Sequence, residues 1–275
     1  MGGDERGAAP VSDSGDNKAL SYSSYLQLEG LLALQQPQSA EHDELLFIVI
    51  HQVYELWFKQ LLHELRALRA ALSGDDAPRA LFCLKRILTI LKTLVAQVDV
   101  LETMTPLQFS AFRSRLQSSS GFQSFQFRAV ELMLGHKRRS VLAAYPPDSA
   151  EHRLLEDLMK QPSVYAVFLG WLATRGVAVP AAVLQRDAEL PTQPDEGVQQ
   201  ALLSVYRERP LEAQLCERLV DLDEGLQEWR YRHVKMVERT IGVKPGTGGS
   251  AGAAYLRETL FRPLFADLWA IRAQL

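Results

Sequence analysis

Nine positions in the C-terminal half, Leu211, Leu215, Leu219, Leu222, Leu226, Trp229, His233, Val237 and Ile241, follow one another in steps of three or four, and all but the histidine are apolar. That spacing marks one face of an α-helix, here about 46 Å long at 1.5 Å per residue. Only other helices of similar length can cover such a stripe. No stretch longer than a few residues alternates apolar and polar, and β-branched residues do not cluster. The expected fold class is therefore all-α, a helical bundle built from segments near 40–73, 78–103, 210–241 and 253–274, with a site between facing helices.

A second stripe sets a histidine in the same kind of place. Phe47, His51, Tyr54, Phe58, Leu62 and Leu65 again step by three or four. A titratable ring on an apolar face needs a hydrogen-bond partner or a chemical task, because an unpaired buried polar group costs about 1–3 kcal/mol. For His51 and for His233 two readings stand open: a satisfied core histidine, or a functional imidazole. A neutral imidazole projecting from an apolar helix face is one way to hold haem iron.

Composition narrows the function classes. A formal net charge of -3 leaves no electrostatic footprint for nucleic acid. The one dense basic run, His136-Lys137-Arg138-Arg139, reads as a solvated helix end. Cys83 and Cys216 lie far apart within apolar helical patterns, as small core residues of a reducing compartment. With no CxxCH motif, any haem would be held non-covalently. The first residues carry no hydrophobic stretch of a secretory signal. No uninterrupted apolar run reaches the 18 or so residues that span a bilayer. A cytoplasmic protein without membrane contact is expected.

Along the chain, residues 1–18 are rich in Gly, Ser, Asp and Ala without periodicity and read as a disordered arm, leaving 19–275 as a single helical domain. Ser39 is positioned to cap the first long helix, with Glu41, Asp43 and Glu44 at its positive end. Asp76 and Pro78 open the second. Thr105-Pro106-Leu107-Gln108 has the form of a capping box and opens a helix to about Gln117. Shorter helices fit 124–136, 150–160, 163–175, 180–187 and 196–208. The long stripe ends at Gly242, and a last helix from Ala253 is expected to bend near Pro263.

Several familiar constellations are absent. PGTGGSAG at 245–252 lacks the Lys-Ser/Thr of a phosphate loop and any preceding strand. Two readings of it remain, a flexible connector or a lid whose backbone N–H groups close over an anion. His51 and Glu55 form HxxxE rather than the HExxH of a zinc site. His42, His136 and His152 read as surface residues. Arg113, amid the aromatic residues of QFSAFRSRL, needs an anionic partner, either a structural carboxylate or a ligand's.

FIVIHQVYELWFKQ at 47–60, SSSGFQSFQFR at 118–128, WRYRHVKMVERTIG at 229–242 and GTGGSAG at 246–252 together resemble tryptophan 2,3-dioxygenase. The likeness runs from about Ser21 to Leu268 in order and spacing. It implies an all-helical, homotetrameric, cytoplasmic enzyme of tryptophan catabolism with haem b in a pocket between long helices. Such an enzyme opens the indole ring of L-tryptophan with O2 to give N-formyl-L-kynurenine. His233 matches the axial iron ligand, and His51 the distal histidine that bonds the indole N–H. Within the run Phe47, Ile48, Val49, Ile50 and His51, assigned to the substrate, Phe47 would pack on the indole. Arg113 would clamp the carboxylate, and Thr247 would reach the ammonium and carboxylate as its loop closes. Phe109 and Phe127 stand where many relatives have tyrosine; Phe109 keeps an aromatic wall without a hydroxyl. SYSSYL at 21–26 resembles the stretch lent to a neighbouring subunit, so Tyr22, Tyr25 and Leu26 are candidate contacts in that subunit's site. Two alternatives remain open, a haem-binding sensor or carrier and a dioxygenase of a related indole.

Overall fold

The computed structural model describes residues 19–117, 119, 121–244, 246 and 253–275. Among the described residues, 19–36 belong to one compact unit and those from Pro37 on to another. In the first, α1 (Tyr22–Leu26) is opened by a reciprocal capping box between Ser21 and Ser24. It passes through Gln27, in the left-handed region at φ 52°, into α2 (Leu28–Leu32). Neither helix buries a residue.

The larger unit is organised by three long helices, α3 (His42–Ser73), α4 (Ala77–Leu101) and α11 (Pro210–Ile241), with α4 packed against both others. Only three residues join α3 to α4, so the two run antiparallel. Asp75 in that turn is left-handed at φ 56° and accepts from Trp171 Nε1 at 2.7 Å and Arg175 at 3.0 Å. Asp76 caps α4 by accepting from Arg79 N–H. On α11, Gly225 admits Leu91 of α4; a Cβ there would stand 3.4 Å from Leu91 Cδ1.

Around this frame lie α5 (Pro106–Arg113), α6 (Phe125–Met133), α7 (Ala150–Lys160), α8 (Val164–Thr174), α9 (Ala181–Leu184), α10 (Glu196–Glu208), α12 (Ala253–Arg257) and α13 (Ala266–Ala270). The described residues contain no strand, as an all-α fold requires. The Thr105–Gln108 capping box forms as the sequence predicts. Helix α5 then tightens to a 3-10 turn at Ser114–Leu116 instead of running on to Gln117. Cys83 and Cys216 are free and buried.

Four expectations are corrected. Ser39 does not cap α3; its hydroxyl and backbone N–H instead donate to Glu44, which also accepts from Gln38 N–H. Burial opposes the Glu44 charge, but these donors outweigh it and hold the carboxyl below its ordinary range. The basic run is no solvated end. Lys137 is only 4% exposed and donates to the carbonyls of Leu158, Met159 and Gln161 at the C-terminal end of α7, where Leu158 also accepts from Gln161 N–H. His136 is half-buried beside Glu131 and Arg138, and burial brings its pKa down to about 4. Finally, 253–274 is no long helix: α12 stops at Arg257 and α13 resumes only at Ala266. Asp223, fully buried on α11, accepts from Leu264 N–H and Phe265 N–H between them and from Trp269 Nε1 of α13.

By length and composition α3 would pass as a membrane span, although no uninterrupted apolar run in the sequence suggests one. It packs against α4, α6 and α8, as the core helix of a bundle does. Its outer face nevertheless leaves Leu45, Val49 and Leu56 exposed.

Candidate active site

The three long helices do not close over one another at the end where α5 crosses. A small second core of Ile50, Leu101, Met104, Phe109 and Phe112 fills part of that space. Beside it lies a cavity of about 240 Å³, lined by α3, the end of α4, α5, the start of α6, and α11. His51 and His233 both face it, and so do Phe47, Phe109 and Arg113. The two apolar-face histidines, 182 positions apart in sequence, therefore share one chamber.

His51 shows how the chain prepares its side of that chamber. Its Nδ1 lies 2.7 Å from the Phe47 carbonyl, one turn back on α3. A carbonyl can only accept, so the neutral ring carries its proton on Nδ1, and Nε2 keeps a lone pair. Burial lowers the pKa of His51, against the raising influence of the Phe47 carbonyl and Glu55. The neutral form is favoured, with one acceptor nitrogen left over. Phe47 lies against this ring at 4.1 Å between centroids, with Phe112 at 5.6 Å and Phe109 at 5.8 Å from Phe47. Together they form an aromatic wall. Glu55, one turn beyond His51, is tied to α6 because Gln126 donates to both its carboxylate and its carbonyl.

His233 faces the cavity from α11. Burial pushes its pKa down to about 4, and the charges of His51 and Arg128 act in the same direction. The ring is deep in the fold yet partly accessible, because the cavity opens in front of it. Among the described residues its nitrogens have no hydrogen-bond partner. At neutral pH it is an unprotonated imidazole with a free lone pair, which a metal ligand requires.

The same cavity has a cationic end. Glu131, buried on α6, pairs with Arg128, Arg138 and Arg230. Burial works against its charge, but the three guanidiniums prevail and hold the carboxyl below its usual range. Arg128 and Arg230 both line the cavity, as does Glu131. The sequence reading assigned no role to this group. Its signal is an Arg and a Glu three apart inside the mostly apolar FQFRAVELM, where each must find a partner.

Not every expected contact gathers here. Ile50 turns into the small second core, and Ile48 and Val49 lie off the cavity wall. Tyr22, Tyr25 and Leu26 belong to the N-terminal unit, where all three are exposed. Thr247 falls outside the described residues, though Gly246 reaches the cavity lining.

Among the described residues, fold and site define an all-helical protein with an aromatic-walled cavity that two histidines and Arg113 line. The family model described as tryptophan 2,3-dioxygenase matches residues 6–146 and 143–275. The tryptophan 2,3-dioxygenase of Anaeromyxobacter dehalogenans is 60% identical over 262 residues, covering 95% of this chain and 98% of that protein. Its namesake from Herpetosiphon aurantiacus is 58% identical, covering 94% and 100% of the two chains, and that of Bordetella pertussis is 46% identical, covering 93% and 91%. The chain belongs to the tryptophan 2,3-dioxygenase family.

Proposed function

We propose that the protein is a haem b-dependent dioxygenase that cleaves the indole C2–C3 bond of L-tryptophan with O2, yielding N-formyl-L-kynurenine. The observation that carries this reading is His51 and His233 facing one aromatic cavity with Arg113 in its wall. Haem asks for a neutral nitrogen ligand, a flat apolar slot and cations for two carboxylates. His233, the aromatic walls and the Arg128–Arg230 end are residues of those kinds, so they fit the group. When bound, haem would supply the redox chemistry that lets O2 react with the indole.

The protein's own part is binding and orientation. Phe47 and Phe109 hold the indole face, and His51 Nε2 accepts the indole N–H, which fixes the ring edge presented for reaction. Arg113 pairs with the carboxylate through its planar fork. Thr247 reaches the ammonium and carboxylate from the glycine-rich loop. His51 orients the substrate without having to remove a proton.

The working unit is a cytoplasmic homotetramer in which residues 19–275 act as one catalytic domain and residues 1–18 as an arm. Two observations favour self-association. Tyr22 and Tyr25 are 76% and 71% exposed on a helix that buries nothing, suited to entering a neighbouring subunit's site together with Leu26. Leu45, Val49 and Leu56 form an uncovered apolar stripe on α3. Two free cysteines agree with a reducing compartment.

The test is to purify the protein with haem and add L-tryptophan and reductant in air. A Soret band and the absorbance of N-formylkynurenine are expected. No haem uptake would overturn the cofactor assignment, and haem uptake without tryptophan turnover would favour a sensor or another indole. Arg113→Ala should weaken L-tryptophan far more than tryptamine, which has no carboxylate to lose; a buried charged hydrogen bond so removed costs about 2–5 kcal/mol. Equal losses for both ligands would make Arg113 a structural residue.

A further inference from the structure

Histidines that hold metals are usually fixed by a hydrogen bond from the second ring nitrogen to a carboxylate or a carbonyl, which also raises their basicity. His233 has no such partner among the described residues. The charged groups that act on it are His51 and Arg128, neither of them a carboxylate. Its plane is nevertheless not left to chance. Trp229, one helical turn earlier on the same face of α11, stacks on the imidazole at 5.2 Å between centroids and 9° between planes.

The indole is itself wedged from three sides. Phe127 of α6 lies at 4.7 Å, Phe58 of α3 meets it edge-on at 6.2 Å, and Tyr54 of α3 lies across it at 6.4 Å. Tyr54 is in turn anchored, donating its hydroxyl to the Leu94 carbonyl of α4 at 2.8 Å. The indole N–H is buried and makes no well-formed hydrogen bond, although the Tyr54 oxygen is near enough to feel it. An indole held by packing can rotate only by displacing three aromatic neighbours. A chain of contacts thus runs from the Leu94 carbonyl of α4 through Tyr54 of α3 and Trp229 of α11 to His233, linking the three long helices.

We propose that Trp229 is the positioning residue of His233, its stacked indole setting the plane of the imidazole in place of a hydrogen-bonded acceptor, with Tyr54 holding Trp229. The inference rests on the reading of His233 as the axial haem ligand. One consequence is chemical: a ligand oriented by stacking keeps its second nitrogen un-ionised and gives less electron density to iron than a carboxylate-bonded imidazole. A second is mechanical. A stacked aromatic pair contributes about 0.5–1.5 kcal/mol, so its loss should speed haem release by up to about tenfold.

The experiment compares the haem-loaded wild type with Trp229→Leu, Trp229→Phe, Tyr54→Phe and His233→Gly. It reads the iron–histidine stretch of the ferrous protein, the spread of ferric electron-spin-resonance signals and the haem-release rate. Trp229→Leu should shift and broaden the first two and speed release several-fold. Trp229→Phe, which keeps an aromatic face, should restore most of the wild-type signature. Tyr54→Phe, which keeps the packing but drops the anchor, should broaden the signals to a smaller degree. If wild type and His233→Gly share one spectrum, the ligand assignment itself fails. If His233→Gly loses the stretch while Trp229→Leu and Tyr54→Phe keep the wild-type signature, the ligand assignment stands and the positioning role is overturned. Should Trp229→Leu not fold, Trp229→Met, which fills much of the same volume without an aromatic face, takes its place: a full wild-type spectrum in it overturns the positioning role, and one in Tyr54→Phe overturns the anchoring by Tyr54.

Discussion

The bond from His51 Nδ1 to its own helix decides what this residue can do. With that proton committed to the Phe47 carbonyl, Nε2 is an acceptor only while the ring is neutral. Burial lowers its pKa, so the neutral form should persist to a pH below the ordinary histidine range. The acidic limb of kcat/KM for L-tryptophan should accordingly lie lower than an unperturbed imidazole gives. His51→Ala should keep measurable turnover and shift preference toward 1-methyltryptophan, whose ring nitrogen has no proton to offer. A pH profile measured for both substrates checks this; unchanged discrimination in His51→Ala would remove the orienting role. Asp223 presents the opposite case. Burial raises its carboxyl pKa even though Phe265, Trp269 and Leu264 donate to it. Asp223→Ala should destabilise the fold by about 3 kcal/mol, since three buried donors lose their acceptor. Asp223→Asn keeps an acceptor and drops the buried charge, so it should be far milder at pH 7. A group with a raised folded pKa binds its proton more readily in the fold, so wild type should gain on Asp223→Asn as pH falls toward the ordinary carboxylate range. Urea midpoints of the three proteins at pH 7 and pH 4.5 test both statements.

Most helix starts in this protein are closed by their own caps, and one C-terminal end is met by a residue brought from elsewhere. Asp76, Thr105, Ser124, Ser149 and Ser163 cap locally, each accepting from a backbone N–H two or three positions into its helix. Their signatures are local, and the sequence predicts those helix starts to within about two residues. The C-terminal end of α7 is different. Its carbonyls are closed by Lys137, more than 20 residues upstream, which brings a full charge to the negative end of the helix dipole. Lys137→Met should cost about 2–3 kcal/mol, the scale of a charged hydrogen-bond donor removed from buried acceptors. Hydrogen exchange should locate the loss in the last turn of α7. Stability equal to wild type would mean that water serves those carbonyls as well as the ammonium does.

At the scale of the whole molecule, the histidines that the fold buries carry a cost in acid. His233 and His136 have pKa values near 4, and His51 is lowered too, while all three have an ordinary value of 6.5 in the unfolded chain. Below that value the unfolded state binds protons that the fold refuses, so stability is present above pH 6.5 and falls as pH drops toward 4. Each histidine contributes a slope of about 1.4 kcal/mol per pH unit within its window. Glu131, whose carboxyl is held low by its arginines, adds to the loss at the acid end, and Asp223 opposes it in part. Denaturant titrations of haem-free protein at several pH values should show a steepening decline below about pH 6.5. Uptake of fewer than one extra proton on unfolding at pH 5 would contradict the burial of these rings.

Periodicity alone determined the fold class and the placement of the long helices α3, α4 and α11, because a stripe at steps of three or four has only one conformation that gathers it on a face. It also marked His51 and His233, since a lone polar ring in such a stripe stands out at any distance along the chain. Helix starts were legible for a similar reason: a cap and the N–H it serves are at most three residues apart. What lies between distant residues was decided only by tertiary packing. Nothing local in HKRR distinguishes a solvated helix end from a lysine closing α7, because the three carbonyls that bury it arrive from residues 158–161. Nothing local in the segment after Ala253 foretells that Asp223, some 40 residues earlier, supplies the acceptor for Leu264 and Phe265 N–H after the helix has ended at Arg257. The cationic end of the cavity and the stack of Trp229 on His233 complete the pattern. In the stack the spacing was visible and the parallel planes were not, because Phe58, Phe127 and Tyr54 had first to close around the indole from two other helices. Sequence specifies what must be hidden or paired; the packing of α3, α4, α6 and α11 decides with what.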